Sequence, residues 1–119
     1  MSGREKPRIL CVSRSVYQLR EMRDAFPARE YEVIAASTPE QAVAVCLNNH
    51  ISAVVLDSEF ATEAGWSAAQ TLKMIKPQLP VMLLLNSADG TVPSGVDAVA
   101  HGHTHMLPRL KELLLHQAE

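Results

Sequence analysis

The sequence predicts an α/β domain in which helices cover both faces of a five-stranded parallel sheet. Short apolar runs alternate along the chain with stretches of helical periodicity. Strands separated by helices favour right-handed crossovers and therefore a doubly wound parallel sheet. The run from Ile51 to Ser58 has no polar alternation until Asp57, which is typical of a strand buried on both faces. We therefore expect Asp57 at the carboxyl end of a central strand, the edge where open α/β sheets bind ligands.

The length and composition suit a single domain spanning residues 1–119, with a core from about residue 8 to residue 117. Hydrophobic residues make up 47% of the chain, and 11 basic against 13 acidic side chains give a net charge of -2. This balance indicates neither a nucleic-acid partner nor a basic membrane-binding surface. The polar N-terminus lacks a signal-peptide core, and no apolar run approaches the about 20 residues of a membrane span. We expect a cytoplasmic protein.

Capping signals define the helices of the first half. Ser15 and Thr38 are each followed three residues later by a glutamine, Gln18 and Gln41, which is the capping-box pattern. Pro27 ends the first helix because a proline cannot continue it. The expected elements are strands at 8–12 and 31–36 and helices at 15–26 and 38–47.

The second half continues the alternation with one irregularity. The expected elements are the central strand before Asp57, a helix at 66–75, strands at 81–85 and within 95–101, and a closing helix from about 108 to 117. The connection from Asn86 to Ser94 is shorter than an average helix of about 11 residues. We therefore expect the fourth helix of the alternation to be shortened or missing there.

These features resemble the receiver domain of bacterial response regulators, the CheY-like, flavodoxin-like fold. The resemblance covers residues 8 to about 115 and rests on the segments Arg8–Val12, Val54–Asp57, Pro80–Leu83 and Gly95–Asp97, together with Gly65. It implies the strand order 2-1-3-4-5 and a role in phosphorelay signal transduction by a two-component system. It also implies that Asp57 accepts a phosphoryl group from a histidine kinase with the help of Mg²⁺.

The chain departs from the receiver pattern around that aspartate. Ser13 and Arg14 stand where receivers carry an acidic pair that holds Mg²⁺, a cation that requires oxygen ligands. Leu85 stands at the Ser/Thr switch position, and Gly102 at the lysine position. We therefore expect an atypical receiver with impaired phosphorylation and no cofactor, binding Mg²⁺ only if Asp57 is functional. Arg14 either neutralises Asp57 directly or lies exposed at the start of the first helix.

Three alternating histidines, His101, His103 and His105, follow the last predicted strand. In an extended chain their imidazoles would lie on one side, where they could bind Zn²⁺ or a similar ion. If the chain leaves the strand there, they are solvated loop residues. A small metal-binding α/β domain is therefore one alternative function.

Apolar residues around the short connection and the last helix indicate a contact surface. If the fourth helix is missing, less of the chain covers three apolar side chains, those of Val92, Val96 and Val99. Leu115 falls off the apolar arc formed by the other leucines of the last helix. Exposed apolar groups on one flank usually mark an interaction site, here for a partner or a homodimer. Alternatively, the short connection folds over this flank and Leu115 is a scattered surface leucine.

The sequence contains no nucleophile elbow, no dinucleotide fingerprint and no P-loop, so an enzyme is the least supported class. We interpret the chain as an atypical receiver that acts through protein-protein contacts with a histidine kinase or another regulator. The alternatives are a receiver that is still phosphorylated on Asp57 and the metal-binding domain described above.

Overall fold

In a computed structural model of the chain, residues 6–61, 63–85 and 94–117 are described. Five strands form one parallel sheet in the order β2-β1-β3-β4-β5. The strands are β1 (Arg8–Val12), β2 (Glu32–Ala36), β3 (Ala53–Leu56), β4 (Val81–Leu85) and β5 (Ala98–His101). The predicted fold class and the strand order implied by the resemblance are confirmed.

The described residues form four α-helices: α1 (Val16–Asp24), α2 (Pro39–Asn48), α3 (Glu63–Ile75) and α4 (Met106–Gln117). Short 3-10 helices occupy Ser58–Ala61 and His103–His105. Helix α3 begins at Glu63, before the predicted start at Trp66, because the glycine between them is tolerated inside the helix. The expected loop between β4 and β5 falls on residues 86–93, which lie outside the described residues.

Side chains of successive strand residues alternate between the two faces of the sheet, as the pleat requires. Residues of α2 and α3 pack on one face and residues of α1 and α4 on the other. Every residue of β3 and β4 is buried, so the centre of the sheet is covered on both sides. None of the described helices combines the length and the apolar character that crossing a membrane requires.

The carboxyl edge of the sheet is fixed by backbone hydrogen bonds that continue just beyond the strands. The Asp57 N–H donates to the Val12 carbonyl at 3.0 Å, and the Ser13 N–H donates to the Ala36 carbonyl at 3.1 Å. These bonds bring the residues that follow β1 and β3 to the same edge.

Candidate functional site at the carboxyl edge

Asp57 is the first residue after β3 and is only 4% exposed. The Phe60 N–H donates to its carbonyl at 2.9 Å, which starts the 3-10 helix directly after it. The chain therefore turns at once, and the Asp57 side chain remains in the cleft between β1, α1 and that helix. The predicted position of Asp57 at the carboxyl end of a central strand is what the structure shows.

Hydrogen-bond donors of the protein surround the Asp57 carboxylate. Oδ2 accepts from the Ser13 hydroxyl at 2.7 Å. Oδ1 accepts from the Ser58 N–H at 2.7 Å and from the Gln18 side-chain amide at 3.0 Å. An ionised carboxylate only accepts hydrogen bonds, and a buried one is tolerated when such bonds satisfy it. The protein therefore stabilises the Asp57 charge with its own donors.

Ser13 links three parts of the site. Its side chain is fully buried, and its hydroxyl accepts from the Ser15 N–H at 3.0 Å while it donates to Asp57. The same oxygen lies 3.4 Å from Oε2 of Glu59. Because a hydroxyl carries a single hydrogen, the shorter contact to Asp57 takes it. The residue that stands at an acidic position of the receiver pattern is thus a hydrogen-bond donor to Asp57.

Arg14 pairs with Glu59 and not with Asp57. Its guanidinium lies 3.9 Å from Oε1 of Glu59, and its backbone N–H donates to Oε2 at 2.7 Å. The guanidinium carbon also lies 5.5 Å from the centre of the Phe60 ring. Of the two alternatives for Arg14, the structure shows the exposed side chain, which is 57% accessible and lies against Glu59.

Gln18 is a site residue that the sequence did not reveal. Its backbone N–H donates to the Ser15 hydroxyl at 3.2 Å, as the capping box predicts. Its side chain does not return to the Ser15 N–H, which is bound by Ser13 instead. The amide reaches Asp57 from the first turn of α1, since helical side chains point toward the helix N-terminus.

Leu85 and Gly102 lie together at the far side of the same edge. The Gly102 N–H donates to the Leu85 carbonyl at 2.9 Å. Leu85 is buried and carries no hydroxyl, and Gly102 carries no amine. The strand itself ends at His101, which pairs with Leu85 in the sheet register. Neither position offers the hydroxyl or ammonium group of the receiver pattern.

The backbone is not extended through the three histidines, so their imidazoles do not line one side of a strand. Gly102 adopts φ 93°, which turns the chain out of β5, and His103 to His105 form a 3-10 helix. Nδ1 of His105 lies 2.6 Å from the His101 carbonyl oxygen. In the described part of the chain, no group of three or more His, Cys, Asp or Glu residues is arranged to hold a metal ion. Nε2 of His103 is buried and has no hydrogen-bond partner there.

The Mg²⁺ implied by the resemblance can be tested against the residues near Asp57. Among the residues that the structure describes, the carboxylates of Asp57 and Glu59 lie at this site, and both are engaged by N–H or O–H donors. The guanidinium of Arg14 adds a positive charge beside them. A hard dication needs several free oxygen ligands, so these residues do not fit Mg²⁺ held in the receiver manner.

The candidate contact residues divide into two groups. Val96 and Val99 are partly buried against the α2 and α3 side of the core, whereas Leu115 is 67% exposed on α4. The other leucines of α4 pack toward the α1 side of the core, as their arc predicts: Leu107, Leu110, Leu113 and Leu114. Val92 lies outside the described residues.

No protein-family model and no curated protein sequence matches the chain. Solved structures do match it. The signal receiver domain of an HD domain-containing protein from Pseudomonas fluorescens Pf-5 superposes with a TM-score of 0.82 at 16% identity, covering 99% of this chain and 93% of that one. A CheY-like receiver domain protein from Methanospirillum hungatei JF-1 gives 0.80 at 19% identity, covering 96% and 98%.

The response regulator TrrA from Thermotoga maritima, solved in complex with Mg²⁺-BeF, gives a TM-score of 0.78 at 19% identity, covering 90% of this chain and 98% of that one. Identities this low establish the fold and nothing finer. Coverage above nine-tenths of both chains shows that the similarity includes the whole sheet and its helices. The chain therefore has the fold of response-regulator receiver domains.

Proposed function

We propose that the chain is an atypical receiver domain of cytoplasmic two-component signalling that is poorly phosphorylated and acts through protein-protein contacts, without enzymatic activity. The observation that carries this proposal is that donors of the protein itself engage the Asp57 carboxylate. Its carboxylate is held by Ser13, Gln18 and Ser58, and Ser13 and Arg14 replace the acidic pair of the receiver pattern. The receiver fold supports the signalling role.

The chemistry of phosphoryl transfer explains why such a site should react slowly. Catalysis of this reaction consists mainly of positioning and of neutralising charge on the phosphoryl oxygens. The Glu59 carboxylate lies 3.4 Å from the Ser13 hydroxyl that binds Asp57, so it adds negative charge near the acceptor, and Gly102 supplies no ammonium group. Loss of one such stabilising group costs a factor of about 100 to 1,000 in rate.

Phosphorylation should be measured with acetyl phosphate and Mg²⁺, following the intact mass of the protein, and in parallel with beryllofluoride, following amide chemical shifts. We expect little labelling and no saturable beryllofluoride response. Asp57→Asn is the matched control because it removes the acceptor. Rapid labelling that disappears in this variant would establish the alternative, a functional phosphoacceptor.

We further propose that the contact surface comprises the β5 edge with Val96 and Val99 and the outward side of α4 with Leu115. Its occupant is a signalling protein, such as a histidine kinase or another regulator, or a second copy of the chain. What supports it is the exposure of Leu115, an apolar side chain with no place in the core.

Sedimentation of the wild type and of Leu115→Lys tests this surface. A lysine at a buried interface should dissociate a dimer and leave the fold intact. Leu47→Lys is the control. Leu47 is 62% exposed on α2, and α2 packs on the opposite face of the sheet from α4. A wild type that stays monomeric at high concentration, with unchanged partner binding in Leu115→Lys, would contradict the proposal.

A further inference from the structure

Two glutamines in this chain have the same local sequence context and different side-chain partners. Gln41 follows the α2 N-cap Thr38, donates its backbone N–H to the Thr38 hydroxyl, and accepts the Ser37 N–H on Oε1 at 2.8 Å. Gln18 makes the equivalent backbone contact to its own N-cap residue. Its side chain, however, donates to Asp57 at 3.0 Å. The Gln41 side chain therefore binds the backbone just before its own helix, whereas the Gln18 side chain binds the carboxylate of Asp57.

We propose that Gln18 is a positioning residue that holds the Asp57 carboxylate in an unreactive arrangement. This inference rests on the proposed function and adds a cause of low reactivity that is separate from the missing metal ligands. Oδ1 of Asp57 accepts from both the Gln18 amide and the Ser58 N–H, as many donors as an oxygen with two lone pairs ordinarily takes. Oδ2 is bound by the Ser13 hydroxyl.

The phosphoryl-transfer step shows why this arrangement matters. A carboxylate oxygen of Asp57 must donate an electron pair to phosphorus to form a new P–O bond. The bond from phosphorus to the acetate oxygen of acetyl phosphate breaks at the same time, and acetate leaves with the electron pair of the broken bond. A lone pair engaged by an N–H donor is not available for the attack. The Gln18 amide must move away from Oδ1 before that oxygen reacts, and it is anchored in the first turn of α1, where its N–H is bound to Ser15.

The experiment starts from a restored variant, Arg14→Asp, which returns one member of the acidic pair and keeps the Ser13 hydroxyl on Oδ2, in the presence of Mg²⁺ and acetyl phosphate. Adding Gln18→Met keeps the length of the side chain and removes the donor to Oδ1. We expect this second substitution to raise the labelling rate of Asp57 by about 10- to 100-fold, the factor that one charge-assisted hydrogen bond represents. Adding Gln41→Met instead should leave the rate unchanged, since Gln41 binds only the backbone.

The outcomes separate this inference from the proposed function. Equal rates with and without Gln18→Met would overturn the inference and leave the proposed function intact. Rapid labelling of the wild type would overturn the proposed function. If the restored variant does not fold, as judged by thermal melting, the rates of the wild type and of the single Gln18→Met variant are compared instead. An unchanged rate in that comparison overturns the inference, and an increase that Gln41→Met does not reproduce supports it.

Discussion

Replacing Asp57 by alanine should destabilise the fold by about 2 to 4 kcal/mol. Each hydrogen bond to a charged group contributes about 1.5 to 3 kcal/mol, and a buried donor left unpaired costs about 1 to 3 kcal/mol. Asp57→Ala removes the acceptor of the fully buried Ser13 hydroxyl and of the Gln18 and Ser58 N–H groups. The Glu59 carboxylate near Ser13 reduces the loss, because removing Asp57 relieves repulsion between like charges.

Urea denaturation measures this change directly, and the expected loss is a large part of the about 5 to 15 kcal/mol that stabilises a domain. Asp57→Asn should cost less, because its amide oxygen can still accept from Gln18 and Ser58. The control is Glu40→Gln, which should change stability little because Glu40 is exposed in the first turn of α2. An Asp57→Ala variant at least as stable as the wild type would refute the reasoning, since repulsion from Glu59 would then outweigh the donors.

Two other predictions concern backbone geometry and pH. Gly95 and Gly102 both have φ near 90°, but a Cβ at Gly95 would lie 3.2 Å from the backbone carbon of Ala69, while one at Gly102 meets nothing within 4 Å. Gly102 also has ψ 161°, a backbone region that essentially only glycine populates, so Gly102→Ala should cost about 1 to 3 kcal/mol of strain. Gly95→Ala should cost more because it adds the close contact with Ala69, and equal losses in thermal melting would contradict this. Burial raises the pKa of the Cys11 thiol from 9.0 to about 12. The native thiol thus keeps its proton while the unfolded chain loses it, so stability should fall from about pH 9 toward pH 12 by up to about 1.4 kcal/mol per pH unit from this group. Urea unfolding of Cys11→Ala should show a shallower decline, and an identical pH profile would exclude the contribution.

The fold could be predicted from the sequence because its signals are local and agree with one another. The run before Asp57 has the composition of a doubly buried strand, and the structure buries every residue of β3. The start of α3 was missed because Gly65 suggested a boundary, whereas the helix continues through it from Glu63. The departure of the chain from β5 at Gly102 was left open, because a single glycine is compatible with both a strand and a turn.

The sequence predicts a residue of the candidate site only where the position of that residue in its own strand or helix is enough to place it. Asp57 was found from its place at a strand end, but its partner Gln18 lies 39 positions away in the sequence. Gln18 and Gln41 share one capping pattern, so no local signal distinguishes the glutamine that reaches the carboxylate from the one that caps. The pairing of Arg14 with Glu59 is equally non-local, since 45 positions separate the two residues.

The substitutions at Ser13 and Arg14 have a consequence for regulation as well as for metal affinity. A cluster of carboxylates is destabilised by its own repulsion and gains stability when a cation binds. In this chain the first position donates a hydrogen bond to Asp57, and the second pairs with Glu59. Donors of the protein therefore offset the charges of Asp57 and Glu59, the part that a bound cation plays in such a cluster. If the chain signals through its α4 and β5 surface, occupancy of that surface should then follow the concentration of the partner and not the phosphorylation state of Asp57.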